Sequence, residues 1–199
     1  MAIVEHRYDA PDRFVSGTVG EPGDRTFFFQ ARQGNRLTSV VAEKQQVSVL
    51  AEHVDRVLGE ISRLTGGLVP VPPKRETAYD NEPLDAPITE EFRVGTMTIA
   101  WDPNDSRIVI EMFSVTEDDT EIDLDETSAE DAEAIARAEA ERAGEVLVVR
   151  IPPNVARDFV ARSMALVAAG RPACPFCEQP IDPDGHICPR ANGYRRPLF

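Results

Sequence analysis

Hydrophobic positions recur along this chain at two spacings, strand-like and helix-like, in an order that occurs twice. Residues 13–19 (RFVSGTV) and 25–32 (RTFFFQAR) are rich in β-branched and aromatic side chains, and 20–24 (GEPGD) between them reads as a turn. Gly34-Asn35 marks another turn ahead of a third strand over 37–42. Between Lys44 and Leu64 the apolar residues Val47, Leu50, Val54, Val57, Leu58, Ile61 and Leu64 fall on one face of a helix, which Gly66-Gly67 ends. The first half therefore predicts β-β-β-α.

The second half repeats that order. Residues 92–101 and 107–115 predict a hairpin about the turn at 102–105, 146–151 a third strand, and Pro152-Pro153-Asn154 opens a helix to about residue 169. The segment FVSGTV at 14–19 aligns with FRVGTM at 92–97, and Val40, Val41 and Val47 align with Val148, Val149 and Val155 at one offset. The expected fold is α+β: two β-β-β-α repeats forming an antiparallel sheet in a pseudo-twofold arrangement, with both helices on one face. The first repeat covers 1–66 and the second 91–170. Between them, 67–90 contains Pro70, Pro72, Pro73, Pro83 and Pro87 and reads as an extended linker.

Charge alters this picture only locally. The chain of 199 residues carries a formal −14, but residues 116–143 hold twelve acidic and two basic side chains and account for −10. That stretch reads as an acidic insert in the second repeat, solvated over 116–126, with a helix start at 128–131. The acidic balance excludes broad electrostatic coating of nucleic acid or anionic membrane. No apolar run reaches the roughly 18–20 residues that span a bilayer, and the first residues lack the pattern of a secretory signal, so the expected compartment is the cytoplasm and no membrane is a partner.

Several side chains invite a functional reading and have a plainer one. Phe27-Phe28-Phe29 is expected to be core with one outward ring, Trp101 core or edge packing, and His53 an exposed residue on the helix. His6 has no nucleophile partner in its neighbourhood of the sequence. Arg32, Arg36, Arg93, Arg107 and Arg150 would form an anion site if their strands adjoined, and are otherwise scattered surface charges. The Gly17-Thr18 and Gly95-Thr96 pairs suit strand packing or a bulge better than phosphate binding, because neither precedes a helix.

The strongest chemical signal lies within residues 171–199. All three cysteines occur in CPFCEQPIDPDGHICP, as Cys174, Cys177 and Cys188, with His186 beside the last. The two-residue gap between Cys174 and Cys177 lets both sulfurs face one ion from a tight turn. Pro180, Pro183 and Gly185 then reverse the chain, and alternation about Ile187 returns His186 and Cys188 to the same ion. Three thiolates and an imidazole suit Zn²⁺, and four protein ligands make the ion structural. A redox Cys-x-x-Cys couple leaves the other two residues unexplained.

These motifs carry a resemblance. Cys174-Pro-Phe-Cys177 and His186-Ile-Cys188-Pro resemble the two knuckles of a zinc ribbon. With the tail from Asn192 to Arg196, the arrangement is similar to an uncharacterised bacterial family that ends in this signature. The resemblance covers most of the chain and implies the zinc assignment for those four residues, without an activity or a substrate.

The function expected on these grounds is a non-catalytic interaction or regulatory protein that presents the knuckle and tail to a protein partner. The alternative is nucleic-acid binding through Arg190, Tyr194, Arg195 and Arg196, where an aromatic ring accompanies clustered arginines. A third reading, an enzyme, places a site between the repeats with strand arginines and carboxylates such as Glu111.

Overall fold

The computed structural model describes residues 3–21, 23–116, 137–170, 174–177, 188 and 190. It is a mixed α+β fold. The strands are β1 (Val4–Tyr8), β2 (Arg13–Val19), β3 (Thr26–Gln33), β4 (Arg36–Ala42), β5 (Glu90–Asp102), β6 (Arg107–Ser114) and β7 (Glu145–Ile151). Helix α1 (Lys44–Leu64) follows β4, helix α2 (Pro153–Ala168) follows β7, and residues 137–142 are also helical. The acidic tract and helix start expected between 117 and 136 lie outside the described residues.

After β1, the order of elements is β-β-β-α twice. The strands form one seven-stranded sheet in the order β1-β7-β6-β5-β4-β3-β2. This sheet is mixed rather than wholly antiparallel, because β4 pairs with β5 and β1 with β7 in parallel. A parallel pair needs a long crossover, and α1 with the connector after it supplies one between β4 and β5. The strand directions also replace the expected twofold. Strand β5 runs parallel to β4, which runs the same way as β2, so β5-β6-β7 follows β2-β3-β4 by displacement along the sheet. Strand β1 was not expected at all. Its five residues bury only Tyr8 and show no alternation to read.

Burial follows the period of two that a strand imposes. Ile108, Ile110 and Met112 of β6 and Leu147, Val149 and Ile151 of β7 have no accessible surface. They join Phe29, Val40, Phe92 and the buried faces of both helices in one core. Helix α1 contributes Val47, Leu50, Ala51, Val54, Leu58 and Ile61, whereas Leu64 at its end is exposed. From α2, Phe159 stacks on Phe14 with ring centroids 4.8 Å apart. Phe28, on the face of β3 opposite Phe27 and Phe29 and outside the main core, is the outward ring expected there, but it too is buried.

The long strand β5 bends. Its first part pairs with β4, its last six residues pair with β6, and the register shifts between Val94 and Met97. Gly95 and Thr96 lie in that bulge, in line with the packing role expected of them. A bulge leaves carbonyls outside the ladder, and Gln46 of α1 answers them: its amide donates to Val94 O and Gly95 O, each at 2.9 Å. The same side chain accepts from the Glu43 N–H at 2.8 Å, which caps the helix. Beyond the bend the sheet curls until Tyr8 Oη on β1 lies 2.8 Å from Thr38 Oγ1 on β4.

The proline-rich connector holds no helix or strand over 67–89 and is fastened to the body of the fold. Residues 80–85 wrap the outer edge of β2 and are held by two arginines. Arg13 grips both oxygens of Asp80 at 2.6 and 2.9 Å and also donates to the carbonyls of Glu82 and Pro83. Arg162 of α2 donates to Ser16 O of β2 at 2.6 Å and to the Asp80 and Glu82 carbonyls at 2.7 Å. An edge strand left bare invites pairing with another chain, and this strap covers it. Behind the sheet, the buried Gln30 amide pairs with the backbone of Asp85 through both its groups, at 2.7 and 3.0 Å. Leu84 lies over Gly17, so close that a Cβ there would stand 2.5 Å from it.

Two predictions test the strap. Hydrogen bonds from Arg13, opposed by partial burial, hold the Asp80 carboxyl below its ordinary value of 3.8. Folding thus favours the carboxylate. Its stabilisation is complete above 3.8 and is lost as pH falls below that and through the lowered native value. Asp80→Asn should cost about 2 kcal/mol in urea denaturation at neutral pH, with the gap to wild type closing in acid. Gly17→Val should displace Leu84 and cost about 1–3 kcal/mol in the same assay.

Candidate metal centre

The C-terminal cysteines converge. Cys174 precedes a turn over 175–177, in which Pro175 fixes one backbone dihedral and brings Cys177 back towards Cys174. The Sγ atoms of Cys174, Cys177 and Cys188 all lie within 4.8 Å of one another. Cys174 and Cys188 are buried and Cys177 is half-buried. The Cys174 and Cys188 sulfurs are 3.7 Å apart, well beyond the about 2.05 Å of a disulfide. Two thiolates bound to one zinc at about 2.3 Å in a tetrahedron stand about 3.8 Å apart, so the spacing fits a shared ion.

Burial pushes the Cys174 thiol up, but hydrogen bonds from the backbone N–H groups of Phe176 and Cys177, and from the other two cysteines, outweigh it, and the net direction is down. Arg190 donates to the Phe176 carbonyl at 3.0 Å, tying the chain after Cys188 to the turn after Cys174. Phe176 itself is 60% exposed at the tip of that turn. His186, expected as the fourth ligand, lies outside the described residues, as do Tyr194, Arg195 and Arg196 of the tail.

The five strand arginines do not gather at one point, and four of them are engaged elsewhere in the fold. Arg32 pairs with Asp85 at 3.1 Å, Arg93 with Glu43 at 2.7 Å, and Arg150 with Asp102 and Asp105 at 2.7 and 2.8 Å. Arg36 donates to the Arg7 carbonyl and lies over the Tyr8 ring. Arg107 shares a polar hollow with Arg7, Arg150, Asp9 and Asp105, in which three guanidiniums face two carboxylates. Glu111 accepts a hydrogen bond from Thr98. The join between the two halves is a strand pair, β4 with β5, rather than a cleft lined by these groups. His53 is exposed, as expected, beside an open groove between α1 and β5. Trp101 packs half-buried against the core.

A second group of ligand-type side chains escaped the sequence reading. His6 on β1, Glu91 on β5 and Glu145 on β7 bring one ligand atom each to within 4.8 Å of the others. His6 and Glu145 are 139 positions apart in the chain, and only the parallel pairing of β1 with β7 joins them. No local motif marks such a site.

No helix among the described residues is long and apolar enough to cross a membrane. No curated protein and no solved structure matches the chain. A family model does match, over residues 6–188, described as "Protein of unknown function (DUF3090)". The matched stretch runs from the histidine of β1 to the last cysteine of the cluster and takes in the whole of β2 to β7. The match carries no metal assignment and no activity. On that coverage, the chain belongs to the DUF3090 family of proteins of unknown function.

Proposed function

We propose that Cys174, Cys177 and Cys188, with His186, hold a structural Zn²⁺ ion, and that the protein is a non-catalytic interaction protein that presents this knuckle to a protein partner. The observation that carries the metal reading is the convergence of three sulfurs, two of them buried, at a spacing suited to tetrahedral thiolates. Three thiolates so close together repel one another, and a divalent cation removes that repulsion while deprotonating the thiols. Soft sulfur donors select zinc over calcium or magnesium. The ion would lock two short segments that have little apolar surface of their own.

The interaction reading rests on Phe176. A large ring 60% exposed beside the cluster, on a turn braced by Arg190, is a rigid apolar contact of the kind that anchors interfaces. The metal's part in this is to hold the turn that displays the ring.

Metal analysis of the purified chain should find about one zinc per molecule, and Cys174→Ser with Cys177→Ser should abolish it. A chain that purifies without zinc and takes none up would sink the assignment. In affinity capture from native extract, Phe176→Ala should lose the partner while keeping its zinc. Retention of the same partner by Phe176→Ala, or by the metal-free double variant, would count against the interaction reading.

A further inference from the structure

The geometry points to a second metal site, built by His6, Glu91 and Glu145, that takes a divalent first-row transition ion through one nitrogen and two oxygen donors. Three strands supply the ligands. The register of the β1–β7 pair sets Val4 opposite Glu145 and His6 opposite Leu147, so His6 and Glu145 occupy the same face two positions apart. Their side chains meet, with His6 Nε2 3.0 Å from Glu145 Oε2. Two donors bound at about 2.1 Å to one ion lie about 3.0 Å apart when cis in an octahedron and about 3.4 Å in a tetrahedron. The pair already stands at that separation.

Glu91 adds a second carboxylate. One imidazole cannot neutralise two carboxylates, and among the described residues no lysine or arginine pairs with either glutamate. The arginine two positions beyond Glu91, Arg93, is engaged by Glu43 at 2.7 Å. The group thus has excess negative charge and converging lone pairs, with His6 and Glu145 only 20% and 33% exposed. Partial exclusion of water strengthens attraction for a cation there. The Phe92 ring, its centroid 6.1 Å from that of the imidazole, flanks His6. Ser114 Oγ accepts from the Glu145 N–H at 3.1 Å and steadies that end of β7.

Glu91 is exposed, which gives an ion access and lets the carboxylate swing inward as the shell closes. The donor set differs from that of the cysteine cluster. Nitrogen and carboxylate oxygen suit Mn²⁺, Fe²⁺ or Zn²⁺, whereas the thiolates draw softer ions. Three protein donors leave positions at which water or a ligand oxygen completes the shell.

The test uses the full chain with its cysteine cluster first loaded with zinc, and Mn²⁺ as the probe. Titration followed by electron paramagnetic resonance should show one Mn²⁺ bound per chain, and spin-echo modulation should show an imidazole nitrogen on it. Glu91→Gln, at an exposed position, should weaken binding at least about tenfold without lowering the melting temperature. His6→Ala should remove the nitrogen signal, and Cys174→Ser should leave Mn²⁺ binding unchanged. Binding without a nitrogen signal, or equal binding by wild type and Glu91→Gln, would assign the ion to the acidic residues elsewhere and overturn the site. No binding at about 1 mM free Mn²⁺ would overturn the site as well.

Discussion

A strand has two hydrogen-bonding edges, and β5 gives each edge to a different neighbour along a different part of its length. It pairs with β4 at Ser39–Glu90 and Val41–Arg93, with a register shift between the two, then shifts again and runs with β6 from Met97 to Asp102. Every other feature of the sheet depends on that division. The bend at the bulge turns the β6-β7-β1 part of the sheet towards the β4-β3-β2 part, so that residues from both halves face one core. It also carries β1 round to β4, where Tyr8 meets Thr38, and sets Glu91 near His6 and Glu145. The cost of the irregularity is limited by Gln46, whose amide donates to the Val94 and Gly95 carbonyls beside it.

The edges of the sheet are treated differently. At β2 the backbone is closed by side chains: two guanidiniums, one from the strand and one from α2, fasten the connector along it. Arg157 of α2 does similar work further back, binding Asp55 of α1 and the Pro72 carbonyl, so the connector is tied to both helices before it reaches the edge. At the other end β1 is itself the edge, paired in parallel beside β7 and only five residues long.

What could be read from the sequence was what is local in it. Helix α1 announces itself because 21 residues sample its period many times, and the apolar run of β6 after the turn at 102–105 marks a hairpin strand. The cysteine cluster was legible because its spacing is short and all of its sulfur sits in one motif. The parallel junctions were not, since strand order is decided by partners far apart in the chain. The connector's role was hidden for another reason. Its hold on β2 uses backbone carbonyls, which every sequence has, and single arginines whose targets only the fold supplies. The His6, Glu91 and Glu145 group combines both difficulties, with separated residues and donor types common on any surface.

The pairing of β1 also sets an order of events. Val4 finds its register opposite Glu145, so β1 has no strand partner until 141 further residues have followed it. At ordinary rates of synthesis that wait is on the order of ten seconds. During it the β2-β3-β4 hairpins and α1 have all they need to form locally, while β1 trails from them as unpaired chain. Strand β7 thus fixes β1, and a nascent chain halted before residue 145 carries an unpaired strand ready to join whatever strand it meets.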